Sequence, residues 1–237
     1  MTTLPQKTKS DGEHWISISD MMTGLMMLFL FIAISYMIEV SRDNNAMREV
    51  AVIYEKSKID LVNDLYNEFK NDLNKWGAVI DSSTISIDFY SPDVLFAQGS
   101  DKLRLEFEEI LQDFFPRYMN IITNSLYKDK IEEIRIEGHT SSEWSYTVPK
   151  DVAYIKNMEL SQNRTRSVLQ FAIELKKVRN HKAWMKKYIT ANGLSSSKRY
   201  IKDDGTEDKQ KSRRVSFRVK TNAEVGIAKI LDISREK

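Results

Sequence analysis

Hydrophobic residues follow three patterns along this chain, and each predicts a different kind of element. From Met21 to Ile38 the run MMTGLMMLFLFIAISYMI carries no charge. It supplies about 18 residues, roughly 27 Å of helix at 1.5 Å per residue, against a hydrocarbon core about 30 Å thick. Extending the run towards the N-terminus adds Ile16 and Ile18, alternating with Ser17 and Ser19, and a single charge, Asp20. Trp15 then falls at headgroup level, where indoles are enriched. Further on, apolar residues recur at Met47, Val50, Tyr54, Leu61, Leu65, Phe69, Leu73 and Trp76. That spacing of three, four and seven describes one stripe of a helix. Lys58 interrupts it, so two readings stand: a coiled-coil partner helix, or packing on the domain that follows.

After Gly77, which ends that helix, the pattern changes to short alternating runs separated by helical stretches. Thr84–Tyr90 alternates as a strand does, and Ile131–Glu137 is a second strand, stopped by Gly138. Between them Ser100–Leu126 reads as a helix bent or broken at Pro116. Leu160–Val178 is helical, with Ser161 near its start; Tyr188–Asn192 is extended, and Ser195–Lys211 is polar. Val215–Val219 forms a closing strand, and Ala223–Ile233 a last short helix. Strands alternating with helices predict a two-layer α/β domain.

Composition narrows the function classes. The chain has 237 residues, so one membrane helix leaves roughly 190 for a connector and a single soluble domain. With a formal net charge of +2 and 30% charged residues, it is not an electrostatic nucleic-acid binder. The absence of cysteine excludes disulfides and thiol chemistry. The apolar run is too long for a signal-peptide core and reads as a retained anchor. Lys7 and Lys9 before it balance Arg42 and Arg48 after it, so charge does not orient it. His14, His139 and His181 are too scattered for a metal site, and Asp203-Asp204-Gly205 is a turn without calcium-loop spacing. The basic run Lys176, Lys177, Arg179, Lys182, Lys186 and Lys187 is read as a solvated helix face. No nucleophile–base pair or phosphate loop is present, so neither an enzyme active site nor a cofactor is expected.

Asp20 is the residue on which function turns. A carboxylate drawn into hydrocarbon is costly, and such groups mark ion or proton pathways. The plainer reading makes Ser19 an N-cap and Asp20 a first-turn acid outside the membrane. The residue pattern leaves both open.

The C-terminal part resembles OmpA-like peptidoglycan-binding domains. Phe96-Ala-Gln-Gly99 with Leu103, Ile136-Glu-Gly-His-Thr140, Asn157-Met-Glu-Leu160-Ser161 with Arg164, and Arg213-Arg214-Val215-Ser-Phe217 occur in the family's order, over about residues 85 to 220. In that family an aspartate after Gly-His-Thr and the arginine after Leu-Ser hold the amine and carboxylate of diaminopimelate in cell-wall peptide. Arg164 matches, and its fork suits a carboxylate. Ser141 stands where the aspartate would, Glu143 lies two residues on, and the loop Ser141–Lys156 is longer than the family's. The resemblance thus implies peptidoglycan binding through Asn157, Leu160 and Arg164, with Ser141 or Glu143 at the amine.

The front end resembles the B subunits of ion-driven stators, the class that includes flagellar MotB. These have a short cytoplasmic tail, a tryptophan, an aspartate opening one membrane helix, and an OmpA-like domain. Trp15-Ile-Ser-Ile-Ser-Asp20-Met-Met-Thr-Gly-Leu and Gly138-His-Thr-Ser-Ser-Glu-Trp144 are most similar to the stator-like membrane subunits of Zorya anti-phage defence systems. The resemblance implies a single-pass protein of the bacterial inner membrane. Residues 1–14 would be a cytoplasmic tail, 15–40 the membrane helix, 41–80 a helical connector that can dimerise, and 81–237 a periplasmic OmpA-like domain. Two copies would sit inside a ring of five MotA-like (or ZorA-like) membrane subunits. Asp20 would carry a proton, with sodium as the other candidate ion, and Ser17, Ser19 and Thr23 could support the ion path. The rival roles are a flagellar stator subunit and a passive tether between membrane and wall.

Overall fold

The apolar stretches become thirteen short and long elements in a computed structural model that describes residues 11–90, 92–145 and 147–222. Two compact units are distinguished, one holding the first part of the long helix α1 (Asp11–Phe69) and the other beginning at Val52.

In the first unit, Ile18–Asn45 of α1 is long and apolar enough to cross a membrane, by length and composition. None of that stretch is buried within the chain. An apolar surface of this extent, uncovered by its own protein, requires lipid or another chain around it. The predicted helix at 223–233 and most of the tail lie outside the described residues.

The second unit contains α2 (Leu73–Trp76), α3 (Pro92–Leu95), α4 (Leu105–Ile122), α5 (Lys150–Glu174), a 3-10 turn at Lys176–His181, α6 (Lys182–Tyr188) and α7 (Lys209–Ser212). Its strands are β1 (Ala78–Asp81), β2 (Ser86–Phe89), β3 (Ile131–His139), β4 (Ile189–Gly193) and β5 (Arg214–Thr221). They form one sheet in the order β1-β2-β5-β3-β4. Only β3 and β4 are parallel; α5 lies in the connection between them, as a parallel crossover demands.

Ile87, Phe89, Ile134, Ile136, Phe217 and Val219 line one face of the sheet and are buried with α4 and α5. Phe114 sits at the hub of the aromatic core, 5.1 Å from Phe217 and 5.2 Å from both Phe69 and Phe89, centroid to centroid. Phe114→Ala is expected to cost about 3–5 kcal/mol, the usual range for emptying a buried aromatic site, read as a lowered midpoint in denaturant.

Several expectations change. The stripe at Leu61, Leu65, Phe69 and Trp76 packs into this core, so the end of the expected connector belongs to the domain. The side chains of Met47, Val50 and Tyr54 lie outside the described residues. The helix breaks between Phe69 and Leu73, and Gly77 closes α2 in a left-handed conformation. Arg117 locks this corner: its guanidinium lies 2.7 Å from Glu68 and 3.0 Å from Asp72, over the rings of Phe69 and Trp76. Pro116 does not break α4. Gln112, whose carbonyl loses its usual partner, is exposed, so water can replace the missing N–H.

Gly138 does not stop β3, which runs on to His139. Its task is close approach: a Cβ there would stand 2.7 Å from the Ser161 carbonyl oxygen, and one at Gly193 would stand 2.4 Å from the Gln162 nitrogen. Both glycines let α5 press onto β3 and β4. Gly193→Ala is therefore expected to lose about 1–3 kcal/mol by overpacking, measurable as a lower unfolding midpoint. Helix α5 itself starts ten residues before the expected Leu160, and Ser161 is buried mid-helix rather than near a start.

Candidate functional site

The five residues singled out for wall binding meet at one groove. Ser141 and Glu143 follow β3, while Asn157, Leu160 and Arg164 project from successive turns of α5. Spacings of three and four place the α5 residues on one helix face. Together with Phe96, Trp144 and Arg213 they line a cavity of about 610 Å³.

Asn157 is buried and donates its amide N–H groups to the carbonyl oxygens of Ser141 (3.2 Å) and Glu143 (3.3 Å). It shapes the loop rather than presenting a free amide. Glu207 adds a second tie by accepting the Ser142 backbone N–H at 3.0 Å. Arg164 donates from Nε to the Ser100 carbonyl (2.8 Å) and from Nη2 to the Ala97 carbonyl (3.3 Å), and its guanidinium lies 4.8 Å over the Phe96 ring. Arg164 thus ties down the segment 97–100 through backbone carbonyls, and among the described residues it makes no ion pair. Burial pulls the Arg164 guanidinium down to about 10, the charge of Arg213 adds to this, and Asp101 offsets part of it. A cation held this way, beside a second cation, favours an incoming anion. Glu143, the one carboxylate lining the groove among the described residues, lies 3.0 Å from Lys209.

Sequence reasoning named Phe96 and Arg213 only as family hallmarks and missed Lys209 and Glu207. No local signal marks these two, because they arrive from the hairpin around Asp203-Asp204-Gly205, where Ile201 bridges Glu207. That tripeptide forms the expected turn, with Gly205 at φ 80° and Asp204 accepting the Thr206 N–H at 2.8 Å. The basic run splits between the 3-10 turn and α6, with Val178 and Met185 buried between its charges.

Beside the groove, the sheet face away from the core carries charge. His139 Nε2 lies 3.7 Å from Glu137 Oε2, and Glu137 also meets Arg135 (3.5 Å) and Arg218 (3.9 Å). Burial pushes Glu137 up, but His139, Arg218 and Arg135 together hold it below the usual carboxylate value. Burial pushes the His139 imidazole down, and Arg214 adds to that against the pull of Glu137. The signs agree. His139 favours the folded state above its ordinary value of 6.5, and its contribution shrinks as pH falls below that. Glu137 contributes above 4.5 and loses its contribution as pH falls further. Unfolding midpoints followed against pH should therefore drop below 6.5, and His139→Gln should flatten that first decline and, by removing the first of the groups that hold Glu137 down, weaken the acid limb as well.

On α1, Ser19 and Asp20 stand inside the helix, which runs from Asp11, so Ser19 is not its N-cap. Asp20 lies within the membrane-competent stretch, near its N-terminal end. The Thr23 hydroxyl donates to the Ser19 carbonyl at 2.8 Å, leaving oxygen lone pairs as its remaining capacity. The side chain of Ser17 lies outside the described residues.

Comparison with known proteins defines the class first: residues 95–214 match the OmpA family. The chain belongs to the family of the Zorya protein ZorB, being 48% identical over 228 residues to ZorB of Escherichia coli, an alignment covering 96% of each chain. Among solved structures, a MotB-like protein from Desulfovibrio vulgaris is 21% identical, with a TM-score of 0.48 over 74% of this chain and 95% of that one. The periplasmic domain of Helicobacter pylori MotB is 19% identical, with a TM-score of 0.41 over 62% of this chain and 83% of that one.

Proposed function

We propose that this chain is the wall-anchored B-type subunit of a proton-driven stator in the bacterial inner membrane, acting in anti-phage defence. The observation that carries the reading is Asp20, an acid placed within an apolar stretch that its own chain leaves uncovered. Kinship with a Zorya protein along nearly the whole chain supports the defence role.

In this reading the N-terminus is cytoplasmic and the OmpA-like domain periplasmic. Two copies place their helices inside a ring of five MotA-like subunits, and the C-terminal grooves grip peptidoglycan. Desolvation opposes the charged form of a carboxylate, so proton uptake from one side and release to the other can alternate at such a site. Each proton crossing the membrane potential delivers about 2.3 kcal/mol per 100 mV, a bias sufficient to drive stepwise rotation of a ring around a held dimer. The groove supplies the hold, with Arg164 and Arg213 receiving a wall-peptide carboxylate.

Purification of the full chain from membranes tests the assembly. A multi-helix membrane subunit is expected to co-purify in excess over this chain, and proteoliposomes holding both should take up protons under an imposed potential. Purification of this chain alone, without such a partner, would make it a passive tether.

A further inference from the structure

Among the described residues two cations line the groove, and no carboxylate lining it is uncommitted; Asp101, outside the lining, offsets only part of the positive charge at Arg164. Arg164 and Arg213 both line it, and neither makes an ion pair among the described residues. Glu143, its one lining acid among the described residues, is engaged by Lys209 at 3.0 Å. Directly after β3 the chain places Thr140 and Ser141 in the lining, both buried and both neutral. The Thr140 hydroxyl is buried without a hydrogen-bond partner among the described residues. An unpaired buried hydroxyl is costly, and an amide N–H from a ligand would satisfy it without adding charge.

These groups suit a carboxylate more than a zwitterion. A free ammonium on the carbon next to the bound carboxylate would enter a groove lined by two cations, whose one lining acid among the described residues is engaged by Lys209. Acylation of that amine removes the charge and leaves a single N–H donor. We propose that the groove selects wall peptide whose diaminopimelate amine is already acylated, as in a cross-linked stem, over peptide whose amine is free. The inference rests on the wall-anchoring reading and specifies its ligand. Such selection would direct the grip to the cross-linked, force-bearing part of the wall.

The test compares two muropeptides that differ at one group, a disaccharide-tetrapeptide with its diaminopimelate amine free and the same molecule N-acetylated there. Binding to the detergent-solubilised full chain is measured at fixed ionic strength. The acetylated peptide should bind at least about fivefold more tightly, the scale of removing one like charge from a partly solvated cationic site. Ser141→Asp should reduce or reverse that preference by supplying an acid. Lys209→Met, at an exposed position, should shift it the same way by releasing Glu143. Equal or tighter binding of the free-amine peptide overturns the selectivity and leaves wall anchoring standing. A preference that neither variant changes overturns the charge argument. If neither peptide binds, the anchoring reading fails, and this inference with it.

Discussion

Asp20→Asn is expected to reduce proton flux through the assembled complex to background and to lower phage protection to the level of a deletion strain. Asparagine keeps the size and shape of the side chain but can neither gain nor lose a proton under physiological conditions. Asp and Asn have similar helix propensities, and the position lies inside a long helix, so the helix itself should persist. The loss should therefore appear in function and not in abundance, membrane insertion, partner co-purification or wall binding. Asp20→Glu keeps a titratable group on a longer stem and should retain partial flux. Proton uptake by proteoliposomes and plaque counts on expressing cells give the two readouts. A conducting Asn variant would remove Asp20 from the pathway.

The second large effect is expected at the groove. Arg164→Ala removes the more enclosed of its two cations, and hydrogen bonds to charged groups contribute about 1.5–3 kcal/mol. Binding to purified peptidoglycan should weaken by about ten- to a hundredfold, since each 1.4 kcal/mol is tenfold. Arg164 also holds the Ala97 and Ser100 carbonyls, so circular dichroism must show that the fold survives. Arg164→Lys keeps the charge but loses the planar fork, and should recover only part of the binding. Asn157→Ala acts differently, because it releases the Ser141 and Glu143 carbonyls that shape the loop. The double variant should sediment with peptidoglycan least of all. Unchanged sedimentation would place the anchor elsewhere on the chain.

Much of this was legible in the residues. The strands at Thr84–Tyr90, Ile131–Glu137 and Val215–Val219 were found because alternation reports a half-buried strand directly. Strand β1 was missed: Ala78-Val-Ile-Asp81 runs apolar for three residues without alternating, so it carries no period-2 signal. The start of α5 was misplaced because Val152, Tyr154 and Ile155 are exposed, which blurs the helical stripe that the buried residues would draw. Of the two outcomes expected at Pro116, the break did not occur, because its cost depends on whether water can reach the Gln112 carbonyl, a property of the folded surface.

Sequence alone determined the apolar stretch with Asp20 at its edge, the two-layer α/β class, and the ordered motifs that carry Arg164. Each depends on neighbours along the chain, which periodicity can report. Only the tertiary structure decided that β5 lies at the centre of the sheet, that Gly138 and Gly193 serve close packing, and that Lys209 occupies Glu143. Those relations join residues far apart in sequence, and their energies arise from contacts that exist only once the sheet has closed.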